Sequence, residues 1–503
     1  MRNNDGYILS IDQGTSGTTI LLVNTKGESV YKYYQSFPQS YPKPGWVEHD
    51  PEVIWQTVSD GIKEILALSW LQEEQIKAIG ITNQRETVVV WDRQTGLPVY
   101  PAIVWQCRRT ANFCAQLTAE GLNTPVTEKT GLRLDPYFSA TKIRWILDHV
   151  AGVRERAQKG ELACGTIDSW LIWKLTGGLS HVTDYSNACR TLLLNIHTRQ
   201  WDTELLQEFD LPLNMLPEVK SSVGFLGETD TTLFSRRHPI TGVLGDQQAA
   251  LFGQGCLEPG MIKNTYGTGC FMLMNTGEKC FLPEYGLLTS IGWVINNETT
   301  YVLEGSVFTG GALVKWLRDE LGIIKEAAET ENLAKKVSNT NDVYFVPAFT
   351  GLGTPHWDPY ARGIIIGLTC GTTKEHLVRA ALEGIAYQVK EVVDSMTKIT
   401  GCKPECLRVD GGAAANNFLL QFQSDVCGLP IQRNNSLELT GLGAAFCAGL
   451  GVGLWSDVDE IKNLVKMEQL FKPEISASVR EKLCANWLRA VERAKGWVGS
   501  ENA

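Results

Sequence analysis

The sequence predicts an α/β protein of two related halves, each a mixed sheet buried between helices. Three observations carry this. Short apolar runs broken by Gly turns recur along the chain. Amphipathic helical stretches open at capping residues between them. The same strand, Gly/Thr turn, strand pattern opens near residue 7 and again near residue 260. A buried mixed sheet with helices on both faces is the most economical layout for that alternation.

Tyr7-Ile-Leu-Ser-Ile-Asp12 is a strand, and Gln13-Gly-Thr-Ser-Gly17 a turn. Runs at 19–23 and 29–34 follow, separated by Thr25-Lys-Gly27, so an antiparallel meander is expected. Asp50-Pro-Glu-Val-Ile-Trp55 opens a helix: Asp50 can cap it, Pro51 suits the first position, and Val53, Ile54, Val58, Ile62 and Ile65 form its apolar stripe. Ile76–Ile81 is the next strand and ends just before Thr82-Asn-Gln-Arg-Glu86. In the second half, Gly260–Thr265, the turn Tyr266-Gly-Thr-Gly269 and Cys270–Met274 repeat the opening. Leu407–Asp410 then meets Gly411-Gly412 and leads into a helix expected over 413–426. The domains are expected to divide as 1–253 and 254–503, around Gly253, Gly255 and Pro259-Gly260.

The chain has 503 residues, enough for roughly two large domains or three ordinary ones. A core of that size requires neither disulfides nor a structural metal. Net charge is −10, which argues against nucleic acid or an anionic membrane as partner. It leaves room for a small anionic ligand, because backbone N–H groups hold phosphate without net positive charge. The 13 cysteines show no C-x-x-C and no paired Cys/His spacing, so buried or free thiols in a reducing cytoplasm are expected, with no zinc site. The polar start Met1-Arg-Asn-Asn-Asp-Gly has no apolar core of a secretory signal. The longest uncharged run, Leu439–Ser456, is Gly- and Ala-rich and is expected to be a helix packed tightly inside a domain, with no membrane insertion.

Neither G-x-x-x-x-G-K-[ST] nor a Rossmann G-x-G-x-x-G between strand and helix occurs. The Gly-rich elements are hydroxyl-bearing hairpin turns, Gly14-Thr15-Ser16-Gly17 and Gly267-Thr268-Gly269, able to aim N–H groups and hydroxyls at a polyphosphate. As sequence alone, each also suits an ordinary hairpin. Asp12 ends an apolar strand beside the first turn, where a carboxylate can hold magnesium together with substrate phosphates, or simply bond within the turn. Asp410-Gly-Gly412 repeats the arrangement at the mouth of a helix. Two polar clusters leave strands directly, Gln84-Arg85-Glu86 and Asp246-Gln247-Gln248. Such groups can hydrogen-bond several hydroxyls of a polyol, and Asp246 can accept a proton from one of them; a solvated loop is the plainer reading of either cluster alone.

Taken together, eight blocks in order resemble the carbohydrate-kinase family that includes glycerol, xylulose, gluconate and fucose kinases. They are 10–15, 41–51, 80–87, 104–110, 135–145, 245–251, 264–271 and 410–417. The resemblance spans nearly the whole chain and is closest to the glycerol-phosphorylating branch. It implies two duplicated actin-like, ribonuclease-H-like ATPase domains, each with a mixed five-stranded sheet, closing over an interdomain cleft. It implies transfer of a phosphoryl group from ATP, with Mg2+, to glycerol, giving sn-glycerol 3-phosphate, in a homodimer or homotetramer.

By the same resemblance, Asp246 is the general base, and Arg85, Glu86, Tyr137, Asp246 and Gln247 hydrogen-bond the polyol between aromatic walls Trp105 and Phe271. Thr15, Ser16, Gly17, Thr268, Gly311, Lys315, Gly412 and Asn416 bind nucleotide, and Asp12 and Asp246 hold the metal. Three departures stand out. Thr19 occupies a position where many such kinases have arginine, and Lys315 one where glutamine is usual. The segment Glu228–His238 lacks the Gly-rich, arginine-ending loop with which some members bind fructose 1,6-bisphosphate, and the context of His238 does not match the phosphorylated histidine loop of others. Two further readings stay open: a kinase of another short polyol or sugar (erythritol, threitol or a ketopentose), and a non-metabolic actin-like ATPase. The polyol set favours glycerol.

Overall fold

Tyr7–Gln13 (β1), Gly17–Asn24 (β2) and Ser29–Ser36 (β3) form the expected antiparallel meander in a computed structural model that describes residues 6–436 and 438–498. β1 and β2 are buried on both faces, which is why their sequences read as continuous apolar runs without alternation. Leu9, Ile11, Ile20 and Leu22 pack with Ile54, Val58 and Ile62 of helix α1 (Pro51–Leu66). Ile8, Leu21 and Val23 point into a separate cluster on the opposite face. α1 starts as expected, with the Asp50 carboxylate accepting the Glu52 N–H at 2.9 Å and Pro51 in the first turn.

β4 (Ile76–Asn83) runs parallel to β1, and Val223–Glu228 (β5) with Pro239–Gly245 (β6) completes a six-stranded sheet ordered β5–β6–β4–β1–β2–β3. Helix α2 (Asp246–Gly253) leaves β6 directly. The second sheet contains Ile262–Tyr266 (β7), Cys270–Gly277 (β8), Leu288–Ile295 (β9) and Glu298–Val307 (β10). After helices Gly311–Asp319 (α3) and Lys374–Thr400 (α4), it gains Leu407–Asp410 (β11), Ile431–Asn434 (β12) and Met467–Phe471 (β13). Its seven strands run β9–β10–β8–β7–β11–β12–β13.

The duplication is legible in the pairing. β3–β2–β1–β4–β6 and β10–β8–β7–β11–β12 share one order and one set of directions, antiparallel on one side of the central strand and parallel on the other. Each half is therefore larger than the expected five strands, because antiparallel edge strands extend it: β5 in the first, β9 and β13 in the second. β9 and β10 are joined through Asn296 and Asn297, both at positive φ, a conformation that asparagine tolerates and that a tight hairpin requires.

The helix expected over 413–426 is shortened. Gly411 takes φ +88°, residues Gly412–Ala415 form a 3₁₀ turn, and α5 runs Asn417–Cys427 with the Asn416 side chain accepting the Leu419 N–H at 3.0 Å. The capping asparagine outweighs the helix propensity of the three alanines before it.

The Gly/Ala-rich segment forms helix α6 (Leu439–Gly451), which packs against α2 and the open face of the first sheet, so a helix from the second half of the chain lies on elements of the first. Glycines set that approach. A Cβ at Gly443 would lie 1.9 Å from the Ala249 carbonyl oxygen, and one at Gly80 would lie 2.3 Å from that of Ala444. Gly443→Val is accordingly expected to destabilise the protein by overpacking, on the order of 1–3 kcal/mol or more, read as a lowered thermal unfolding temperature. An unchanged temperature would mean that α6 can shift freely. Among the described residues no helix is long and apolar enough to cross a membrane, and the 13 cysteines are all free.

Candidate active site

β1, β4 and β6 are parallel neighbours, so the polar residues at their C-terminal ends emerge together. Asp12 stands near the end of β1, Gln84-Arg85-Glu86 follows β4, and Asp246 follows β6 as the first residue of α2. The two sequence clusters, 160 residues apart, thus meet. Arg85 Nε lies 3.3 Å from Asp246 Oδ1 and 3.5 Å from Glu86 Oε1.

Arg85 is buried, and its fork is held from the other half of the molecule. Nη1 donates to Glu304 Oε2 at 2.6 Å and Nη2 to Glu304 Oε1 at 3.1 Å, a bidentate pair with a fully buried residue of β10. Nη1 also donates to Gln248 Oε1 at 3.2 Å and Nη2 to the Tyr137 hydroxyl at 3.3 Å. Arg190 closes the network, donating to Glu86 Oε1 at 2.7 Å, Glu304 Oε1 at 3.0 Å and Ser290 Oγ at 2.8 Å. Burial alone would raise the Glu304 carboxyl, but Arg190 and Arg85 hold it down at about 2.

The aromatic residues line the same place. Trp105 meets Tyr137 edge-on at 5.5 Å and Phe271 at 6.4 Å between ring centroids, and its Nε1 donates to Thr15 Oγ1 at 2.8 Å. The aromatic pair is thereby tied to the first hairpin. Gln247 Oε1 accepts the Lys263 ammonium at 2.6 Å. Lys263 is fully buried and also donates to Thr265 Oγ1 at 3.0 Å; burial lowers its pKa to about 8, while Asp410 and Asp246 work to keep it charged. Asp246 stays partly open to the cleft. Burial pushes its carboxyl up to about 6 against the pull of Arg85, and Glu86 adds to the rise. Asp12 is pushed to about 7, first by burial and then by the charges of Asp246 and Glu438, with Lys32 opposing.

The second hairpin caps α3. The Gly311 N–H donates to the Gly267 carbonyl and the Gly310 N–H to that of Thr268, both at 2.8 Å. A cavity of about 800 Å³ opens beside it. Thr268, Gly311, Lys315, Gly412 and Asn416 all line that cavity, so five of the expected nucleotide residues share one wall. Thr15, Ser16 and Gly17 do not line it; they form the other hairpin, next to Trp105 and Asp12. Asn416 also caps α5 and donates to Thr330 Oγ1 at 3.0 Å. His238 is buried against Glu73, with Nε2 at 3.0 Å from Oε1, so its ring is committed to packing.

The sequence analysis did not single out Glu304, Arg190 or Lys263, and it named Gln248 only as part of the cluster after β6. Two had a signal, since Glu304 and Lys263 are lone charges inside otherwise apolar strand sequences, Tyr301–Val307 and Ile262–Tyr266. A charge on a buried strand requires a partner.

The profile described as "FGGY family of carbohydrate kinases, N-terminal domain" matches residues 7–253, and that of the C-terminal domain matches residues 262–452. The chain belongs to the FGGY family of carbohydrate kinases. A protein named glycerol kinase 2 from Thermotoga maritima is 55% identical over 491 residues, covering 98% of this chain and 99% of its own length. A glycerol kinase from Carboxydothermus hydrogenoformans is 56% identical over 496 residues with the same coverage. Among solved structures, a Plasmodium falciparum glycerol kinase with ADP superposes with a TM-score of 0.93 at 39% identity, covering 97% of this chain and 98% of that one. A gluconate kinase from Lactobacillus acidophilus shares the FGGY fold, with a TM-score of 0.88 at 23% identity over 97% of this chain and 98% of its own. The two-domain architecture of mixed sheets flanked by helices is thus that of the FGGY kinases, the actin-like, ribonuclease-H-like ATPase arrangement.

Proposed function

We propose that this FGGY kinase transfers the terminal phosphoryl group of ATP to a terminal hydroxyl of glycerol, yielding sn-glycerol 3-phosphate and ADP. The observation that carries this reading is the convergence of Arg85, Glu86, Tyr137, Asp246 and Gln247 with Trp105 and Phe271 at the strand ends. The whole-length relatives named glycerol kinase support it. A triol has an apolar edge and three hydroxyls, and recognition against water requires partners for both.

In this proposal Asp246 accepts the hydroxyl proton as the oxygen attacks. A carboxyl lifted to about 6 remains mostly ionised at neutral pH and is a stronger base than an ordinary carboxylate. Arg85 and Glu86 orient the hydroxyls, Gln247 is steadied by Lys263, and Trp105 and Phe271 take the carbon edge. Thr268, Gly311, Lys315, Gly412 and Asn416 receive the nucleoside diphosphate portion, and Thr15, Ser16 and Gly17 face its phosphates across the cleft. The division of the chain at residues 253 and 254 separates these two sets of groups.

Among the described residues no three carboxylates meet as a ready-made metal site. Magnesium is usually held by one or two carboxylates together with substrate phosphates, however, and Asp12 and Asp246 are near enough for the charge of one to act on the other. Asp12 and Asp246 would hold it, where it supplies neutralisation of the phosphoryl charge.

The test is coupled ADP release over a panel of glycerol, erythritol, threitol and ketopentoses. Highest kcat/KM with glycerol supports the proposal; a better polyol replaces the substrate; release without any polyol removes the kinase reading. In the same assay, millimolar fructose 1,6-bisphosphate is expected to leave the rate unchanged, because residues 228–238 lack the arginine-ending glycine loop. Dose-dependent inhibition would contradict that expectation.

A further inference from the structure

The register of the first sheet places one cation on the face that carries Asp12, opposite Leu21 and four residues along β2 from the Gly17 end of the first hairpin. Asp12 pairs with Thr19, and Thr19 with Tyr34; one step along, Ser10 pairs with Leu21, and Leu21 with Lys32. Because side chains on paired strands share a face, Asp12, Thr19, Tyr34 and Lys32 project from the same side, the side covered by α6. The Tyr34 ring occupies the space beside Gly17, where a Cβ would lie 2.6 Å from it, so β3 lies directly against the hairpin. Of the residues on this face in β2 and β3 (Gly17, Thr19, Leu21, Lys32, Tyr34, Ser36), only Lys32 is charged.

Lys32 is not buried in a packed ion pair. Its ammonium bonds Glu438, immediately before α6, and its side chain is 45% exposed. It is also close enough to act on Asp12, the carboxylate near the end of β1. An exposed lysine on a flexible stem, with Glu438 as its carboxylate partner and Asp12 within reach of its charge, is suited to exchange that carboxylate for a phosphate oxygen.

We propose that Lys32 binds the terminal phosphates of the nucleotide, with Glu438 holding its ammonium on that face until nucleotide arrives. This rests on the reading of the chain as an ATP-dependent kinase. Thr19 carries no charge, so Lys32 supplies from β3 the positive group that the hairpin itself lacks.

The experiment is calorimetric titration of the unaltered protein, Lys32→Met and Lys32→Arg with magnesium and a non-hydrolysable ATP analogue, and separately with adenosine. Loss of one charge-assisted contact is expected to weaken analogue binding roughly tenfold or more in Lys32→Met. Adenosine affinity and the unfolding temperature should stay unchanged, and Lys32→Arg should retain most of the affinity. Equal analogue affinity in Lys32→Met overturns the proposal while leaving the kinase reading intact. Parallel loss of adenosine binding also overturns it, by making the role structural. Failure of the unaltered protein to bind the analogue overturns the kinase reading itself.

Discussion

Asp246→Ala is expected to lower turnover by roughly a hundredfold or more while the protein stays folded. The size follows from the proposed role, since removing a positioned general base typically costs that much. The preserved fold follows from the geometry. Asp246 is the first residue of α2; its carboxylate accepts the adjoining Gln247 N–H at 2.7 Å and lies 3.3 Å from Arg85 Nε, and it is partly open to the cleft. Its removal leaves Arg85 paired bidentately with Glu304, so no buried charge is stranded. Coupled ADP release with glycerol, together with thermal unfolding, checks both halves. A fall of less than about tenfold would mean that alignment and charge neutralisation drive transfer and that another group receives the proton.

Glu304→Gln is expected to be damaging in a different way. Glu304 is ionised throughout the neutral range, because the two guanidinium groups hold its carboxyl at about 2. The amide keeps the shape but leaves Arg85 and Arg190, both buried, with one fewer negative partner. Breaking a buried pair by altering one member costs about 3–5 kcal/mol, far beyond the worth of an exposed bridge. Glu304 also lies in the second sheet while Arg85 and Arg190 belong to the first half, so the loss loosens Arg85 just where the polyol is to be held. A lowered unfolding temperature and a raised KM for glycerol are expected, with a smaller change in the KM for ATP. Wild-type stability in Glu304→Gln would mean that Glu86 alone satisfies both arginines.

The groups of the site differ in how legible they were. Asp246, Gln247, Arg85 and Glu86 announce themselves because they sit immediately after apolar strands, where a core has no use for them. The two hairpins are likewise local, with glycines and hydroxyls within four residues. Glu304 gave only a weak signal, and its partner Arg85 lies 219 residues away. Arg190 leaves a short helix in a segment with no motif of its own. The break before α5 was visible in Gly411-Gly412, yet the capping role of Asn416 emerged only from its bond to the Leu419 N–H.

The sequence by itself determined the two-fold repetition of strand, turn and strand, the meander, the cap of α1 and the identity of the polar residues at the strand ends. These depend on neighbours within a few residues, where backbone conformation and turn chemistry act. Only the tertiary structure decided that the halves carry six and seven strands, and that α6 approaches both α2 and the first sheet through glycines. It alone set Lys32 on the same face of the first sheet as Asp12 and joined Arg85, Arg190 and Glu304 into one buried network. Those outcomes depend on strand register and on pairings between distant segments, and a lone charge in an apolar strand says that a partner exists without saying which.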